Sequence, residues 1–155
     1  MLALVIREEP TLRAALHSCV RYMRLHNAGV QLQIEDAGEI ALLHVRANPQ
    51  RRGAQRQSVE MSTGILLRVL RVLSRDSFRP VSVAFSHDAP VSLDMHRRVL
   101  GAAVELGQDW NGVVCESSVL DLPIPAADAA LNREVKRLLE LQLAGHSDEP
   151  VERAR

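Results

Sequence analysis

The chain has no surplus of either charge: 19 Lys and Arg balance 19 Asp and Glu, for a formal net charge of +0. A free-standing nucleic-acid binder carries a basic surplus, so this balance argues against DNA binding by the chain itself. Cysteine is scarce. Cys19 and Cys115 are the only two and form no C-x-x-C pair, so neither a zinc motif nor a redox motif can be built from them. Long apolar runs are missing too. The opening Met1-Leu2-Ala3-Leu4-Val5-Ile6 meets Arg7-Glu8-Glu9 after six residues, too few for a signal-peptide core or a membrane span. No membrane partner and a cytoplasmic location are the expectations. No G-x-G-x-x-G or phosphate-binding loop offers a nucleotide cradle, and no G-x-S-x-G elbow presents a nucleophile. The six histidines (His17, His26, His44, His87, His96, His146) include no H-x-x-x-H pair. No metal and no cofactor are expected.

What remains is an ordinary globular composition. Apolar residues make up 46% and charged residues 25% of 155, enough for one domain with a real core. Basic residues are almost all arginine, with Lys136 the only lysine, read as codon bias before any phosphate-binding design.

Residues 11–26 repeat Leu12, Ala15, Leu16, Cys19, Val20 and Met23 at helical spacing, started by Pro10-Thr11 and stopped by Asn27-Ala28-Gly29. Val30, Leu32 and Ile34 alternate with polar residues, Asp36-Ala37-Gly38 turns, and Ile40 to Arg46 returns. That second strand is apolar on both faces until His44 and Arg46, which predicts a place inside the sheet. A polar loop at 48–53 leads into a helix over 54–74, whose second half is apolar around most of its girth. Such a helix is expected to be covered on more than one side. Arg68, Arg71 and Arg75 line one of its faces, read as a solvated face. Val81, Val83 and Phe85 alternate as a third strand. Ser92 is expected to cap a short helix ended by Gly101. Strands are predicted at 104–106 and 110–116, around a turn at Gly107-Gln108-Asp109. Asp128 is expected to cap a last helix with a Leu131, Val135, Leu138, Leu139 stripe, from which Leu141 and Leu143 fall away. These elements do not alternate regularly enough for a doubly wound sheet. They predict an α+β fold, an antiparallel or mixed sheet of four to five strands with helices packed on it.

Residues 81–131 carry a further signal. In order they read Phe85-Ser86-His87-Asp88-Ala89-Pro90, Leu100-Gly101, Asn111-Gly112-Val113-Val114 and Leu120-Asp121-Leu122-Pro123-Ile124-Pro125, with Asp128 before Leu131. Upstream stand Pro10 to Leu16, Tyr22 and Arg24. This series resembles the effector-sensing, arabinose-binding-like N-terminal domain of AraC/XylS-type bacterial transcription regulators, in the branch of the ornithine-utilisation activators. It covers roughly residues 3–143. The resemblance implies a sensing domain over 1–144 and a polar tail, 145–155, leading towards a DNA-binding domain that lies outside this chain. It also implies a small-molecule effector, DNA contact only through that other domain, and no enzymatic activity. No ligand contact is carried over from the family.

The chemistry-bearing residues leave alternatives open. His87 can be a base for Cys115 or Ser86, making a small hydrolase or transferase, or it can simply close a strand and hold a loop. Polar groups interrupting an apolar strand face suit a sensor pocket: His44 and Arg46 share a face with Ile40 and Leu42, and Trp110, the only tryptophan, can wall a pocket. These three are the candidate effector residues. The apolar long helix or the last helix is expected to make a homodimer contact, and a pure oligomerisation module stands as a further alternative.

Overall fold

The computed structural model describes residues 1–26, 29–47, 55–88 and 92–147. The predicted loop at 48–53, Pro90 of the F-x-H-x-x-P series and the last residues of the tail lie outside them.

The first element is one the sequence reading missed. Leu2–Arg7 form a helix, α1, too short to stand alone in water, stabilised by burying Val5 against the next helix and the last one. Leu12–His26 follow as α2. The Thr11 hydroxyl accepts the Ala14 amide at 3.2 Å, closing the helix start. The buried face is Leu12, Ala15, Leu16, Ser18 and Tyr22. Val20, expected in the stripe, is exposed, and Tyr22 takes the inner position.

Val30–Ala37 (β1) and Ile40–Ala47 (β2) form a hairpin turned at Gly38, whose φ of +77° suits glycine. Gln55–Leu73 are α3, Ser82–Ala84 β3, Asp94–Leu100 α4, Ala103–Glu105 β4 and Gly112–Glu116 β5. A short 3-10 turn covers Ser117–Asp121, and Ala129–Ser147 are α5, which continues past Gly145. The sheet runs β1-β2-β5-β3-β4, antiparallel throughout except for the parallel β3–β4 pair joined by α4. It is a five-stranded mixed sheet with helices packed on it, an α+β fold, with β2 inside as its two apolar faces predict.

Helices cover one face of the sheet. Ala41, Leu43, Val83, Val113 and Cys115 are buried there under Leu12 and Leu16 of α2 and Leu67 and Leu70 of α3. Arg13 fastens α2 to this layer: its guanidinium donates to Asp36 at 2.7 Å, to Asp121 at 2.8 Å and to the Ser117 carbonyl at 3.0 Å. Both carboxyls are held below their usual range by Arg13. Backbone bonds from Leu12 to Leu122 and from Ile124 to Pro10 complete the seam, which gives the Leu120–Pro125 series its structural role.

Four expectations need correction. The long helix α3 buries Leu67, Leu70 and Leu73 on one broad side and leaves Met61, Ile65 and Val72 exposed. Its arginines are not all solvated, because Arg71 donates to the Leu100 carbonyl and fixes the end of α4. In α5 the inner stripe is Val135, Leu139 and Leu143, whereas Leu131 and Leu138 are rim residues. Asp128 does cap α5, accepting the Ala130 and Leu131 amides at 2.8 and 3.1 Å, which lowers its own pKa. The Ser92 hydroxyl accepts the Asp94 amide, but Leu93 holds the cap position of α4. Gly101, at φ +63°, ends that helix as expected.

Candidate functional site

The strand registers lay out the face of the sheet turned away from the core. One row across it is Gln33, His44, Gly112, Ala84 and Glu105, and the next is Glu35, Leu42, Val114, Ser82 and Ala103. The middle of the first row is floored by small residues, Gly112 and Ala84. Gly112 is essential to this layout: a Cβ there would meet the Leu43 carbonyl oxygen at 2.0 Å and the Trp110 ring at 3.0 Å. Glycine therefore lets the Trp110 indole lie over the strand, where its ring centroid sits 4.9 Å from that of His44. The Asn111 side chain pins this corner by accepting the amide of Ser86 at 2.8 Å and its hydroxyl at 3.1 Å.

His44 is the polar centre of this face. Its side chain is only 12% exposed, and Nε2 stands 2.9 Å from a Glu35 carboxylate oxygen. An ionised carboxylate only accepts, so in the neutral ring Nε2 carries the proton and Nδ1 is left as an acceptor. Nδ1 is buried and has no partner among the described residues. Of the three residues predicted from the sequence, His44 and Trp110 come together. Arg46 lies one row further along β2, exposed and opposite Gln31, and no described contact joins it to the other two.

The alternative catalytic set does not assemble. Cys115 is fully buried on the helix-covered face, and burial pushes its thiol up to about 11, away from the thiolate form that nucleophilic chemistry needs. Half-buried Cys19 is raised to about 11 in the same way. The Ser86 hydroxyl is engaged by Asn111. His87 stacks on Phe85 with ring centroids 5.2 Å apart, and its Nε2 faces Glu60 at 2.8 Å without the alignment of a hydrogen bond. Glu60 also receives Arg56 at 2.9 Å and His96 at 3.2 Å. Burial opposes its charge, yet Arg56 and His96 outweigh it and hold the carboxyl below its usual value. This cluster ties the segment after β3, and α4, to α3, whereas the loop contact expected of His87 is Nδ1 at 3.0 Å from the Asp88 carbonyl oxygen.

A concavity elsewhere in the fold had no forecast. Between α2 and α5 lies a cavity of about 340 Å³ whose polar wall is Glu9, His17, Ser18, Arg21, Tyr22, Lys136 and Glu140. Glu9, 1% exposed, receives the Ser18 hydroxyl and the Lys136 ammonium, the latter at 2.8 Å from Oε1 and 3.0 Å from Oε2. Arg21 grips Glu140 through two bonds of 2.8 Å, and the Tyr22 hydroxyl donates to the same carboxylate. Arg21 and Tyr22 hold Glu140 down at about 2. Burial, with Glu140 beside it, pushes Tyr22 up to about 12. The available sequence signals were the lone lysine and an acidic pair one arginine behind an apolar hexad.

Comparison with known proteins places the chain. Residues 1–124 match the family described as the arabinose-binding domain of AraC transcription regulators, N-terminal, and the chain belongs to that family. Among solved structures it is similar to the crystal structure of the transcriptional regulator CdpR from Pseudomonas aeruginosa, at 14% identity and a TM-score of 0.69. The match covers 85% of this chain and 44% of that one, so the chain spans less than half the length of that regulator. No curated protein matches it. Among the described residues no helix is long and apolar enough to cross a membrane.

Proposed function

We propose that this chain is the effector-sensing domain of an AraC-type regulator, taking a small molecule on the sheet face turned away from the core, at His44 and Trp110, with Arg46 at the margin. The observation that carries this reading is His44: a nearly enclosed imidazole beside the single tryptophan, with an acceptor nitrogen that no described residue uses. Sensor sites combine an apolar wall with a few placed polar groups, and Trp110, Leu42 and Val114 beside His44 and Glu35 fit that pattern. The sensing unit is residues 1–144, with 145–155 leading towards the DNA-binding part. DNA is contacted by that part alone, the domain itself is not an enzyme, and the protein works in the cytoplasm. Regulation requires the effector to favour one arrangement of the regulator over another.

A thermal-shift screen against amino acids, sugars, short acids and fatty acids tests this. A ligand present at a hundred times its dissociation constant adds about 2.7 kcal/mol of stability. The hit is expected to change Trp110 fluorescence and to lose affinity in His44→Ala. A hit that leaves Trp110 fluorescence unmoved and binds His44→Ala unchanged would defeat the assignment of the face.

A second activity, homodimerisation, is favoured by the exposed Met61, Ile65 and Val72, which fall on one outward stripe of α3. Sedimentation at tens of micromolar is expected to show a dimer that Ile65→Glu dissociates, and a monomeric wild type would refute it.

A further inference from the structure

We propose that the groove between α2 and α5 is a second ligand site, and that it takes a small zwitterion carrying one ammonium and one carboxylate group. This goes beyond the sheet-face reading and can fail without it, because the groove and Trp110 belong to different layers of the fold.

The cavity, about 340 Å³, lies at the small end of the roughly 300–1,000 Å³ found for ligand sites. Its floor is a built polar group, since Glu9 is a carboxylate 1% exposed. A carboxylate offers about four acceptor positions. Glu9 spends them on Ser18 and on both approaches of Lys136, leaving room on Oε2. Glu140 takes Arg21 and Tyr22 on Oε1 and Arg21 again on Oε2, where room also remains. On the donor side, Arg21 directs two of its guanidinium donors at Glu140. Lys136 has three donors and makes two contacts with Glu9, leaving one donor over.

The groove thus offers spare acceptors and spare donors while its two ion pairs cancel. Lys136 and Glu140 stand one turn apart on α5, and Arg21 faces them from α2, so positive and negative groups alternate along the wall. A simple anion would add charge beside buried Glu9, and a simple cation would add charge beside Lys136 and Arg21. A buried charge left without compensation is costly. A molecule bearing both groups adds no net charge. Its carboxylate meets Lys136 and Arg21, and its ammonium meets Glu9 and Glu140.

Titration calorimetry on the full chain with glycine, β-alanine and γ-aminobutyrate, which space the two charges progressively, tests this against butyrate, butylamine and erythritol. Saturable binding is expected for at least one zwitterion, tighter than for the single-charge or neutral probes by about tenfold or more. Arg21→Gln and Glu140→Gln, at an exposed and a half-buried position where the fold is expected to persist, should each weaken it by about tenfold, whereas Trp110→Phe should leave it unchanged. The absence of saturable binding by all three zwitterions would overturn the proposal. So would an equal response to butyrate, butylamine or erythritol, or affinity that ignores both groove variants. Loss of binding in Trp110→Phe would reassign the ligand to the sheet face and likewise end it.

Discussion

Helix α2 lies between two unlike layers. On its sheet side the contact is a broad apolar core, running from Leu12 and Leu16 through Leu43, Val113 and Phe85 to Leu67 and Leu70, with Arg13 as a staple at the edge. On its other side, towards α1 and α5, only Val5, Tyr22, Val135, Leu139 and Leu143 form the buried cluster. There the Glu9–Lys136 and Arg21–Glu140 pairs take a larger part of the contact. Apolar burial is nondirectional and insensitive to pH, whereas ion pairs respond to protons, salt and competing ligands. The sheet layer is therefore the fixed frame, and the α1–α5 layer is the part whose hold can be adjusted.

The protein carries one reporter for each layer, since Trp110 lies on the sheet and Tyr22, its only tyrosine, lies in the small cluster. The largest effect is expected from Leu43→Ala, which removes a fully buried side chain from the frame and costs about 2–5 kcal/mol. Trp110 and Tyr22 signals should then melt together at a lower temperature. Separate transitions would mean that the frame does not govern the α1–α5 layer.

A smaller loss is expected from Lys136→Met, which strands buried Glu9. Discounted for the partial exposure of the lysine, it costs about 1–3 kcal/mol. Denaturant titration should show the Tyr22 signal departing before that of Trp110, and Lys136→Arg should restore coincidence. Coincident transitions in Lys136→Met would erase the distinction between the layers.

The smallest effect concerns acid. Glu140 has its folded pKa depressed from an ordinary 4.5 to about 2, with Arg21 the first cause and Tyr22 the second. A depressed carboxyl contributes stability that is present above its unfolded pKa and lost as pH falls through the folded one. Between about pH 4.5 and 2, then, hydrogen exchange in α5 should quicken more in wild type than in Glu140→Gln, which has no such proton to take up. Equal acceleration in both proteins would remove Glu140 from the account.

Much of the frame was legible in the sequence because period carries it. Alternation in Val30, Leu32 and Ile34, and the double-sided apolar run of β2, follow from a pleat that puts successive side chains on opposite faces. Beyond the β1–β2 hairpin, pairing partners were not legible, since the parallel β3–β4 pair and the order β1-β2-β5-β3-β4 depend on contacts far apart in the chain. The His44–Trp110 contact was half visible. His44 stood out as a polar break in an apolar strand and Trp110 as the single tryptophan, but their meeting depends on the space above Gly112, which spacing does not reveal. The α1–α5 layer was hidden for a different reason. Six apolar residues make no periodic pattern, and Val20, not Tyr22, fits the α2 repeat by hydropathy. Tyr22 turns inward because the Glu140 carboxylate can receive its hydroxyl there.

Arg13 has a consequence for the order in which the chain assembles. Its partners lie 23 residues away at Asp36 and 104 and 108 residues away at Ser117 and Asp121. The β1–β2 hairpin closes a short loop and can form as soon as it is synthesised, but the staple must wait until the Ser117–Asp121 turn has arrived. Until then only the Arg13–Asp36 bond of this staple can join α2 to the hairpin, and one late-arriving segment completes the fastening.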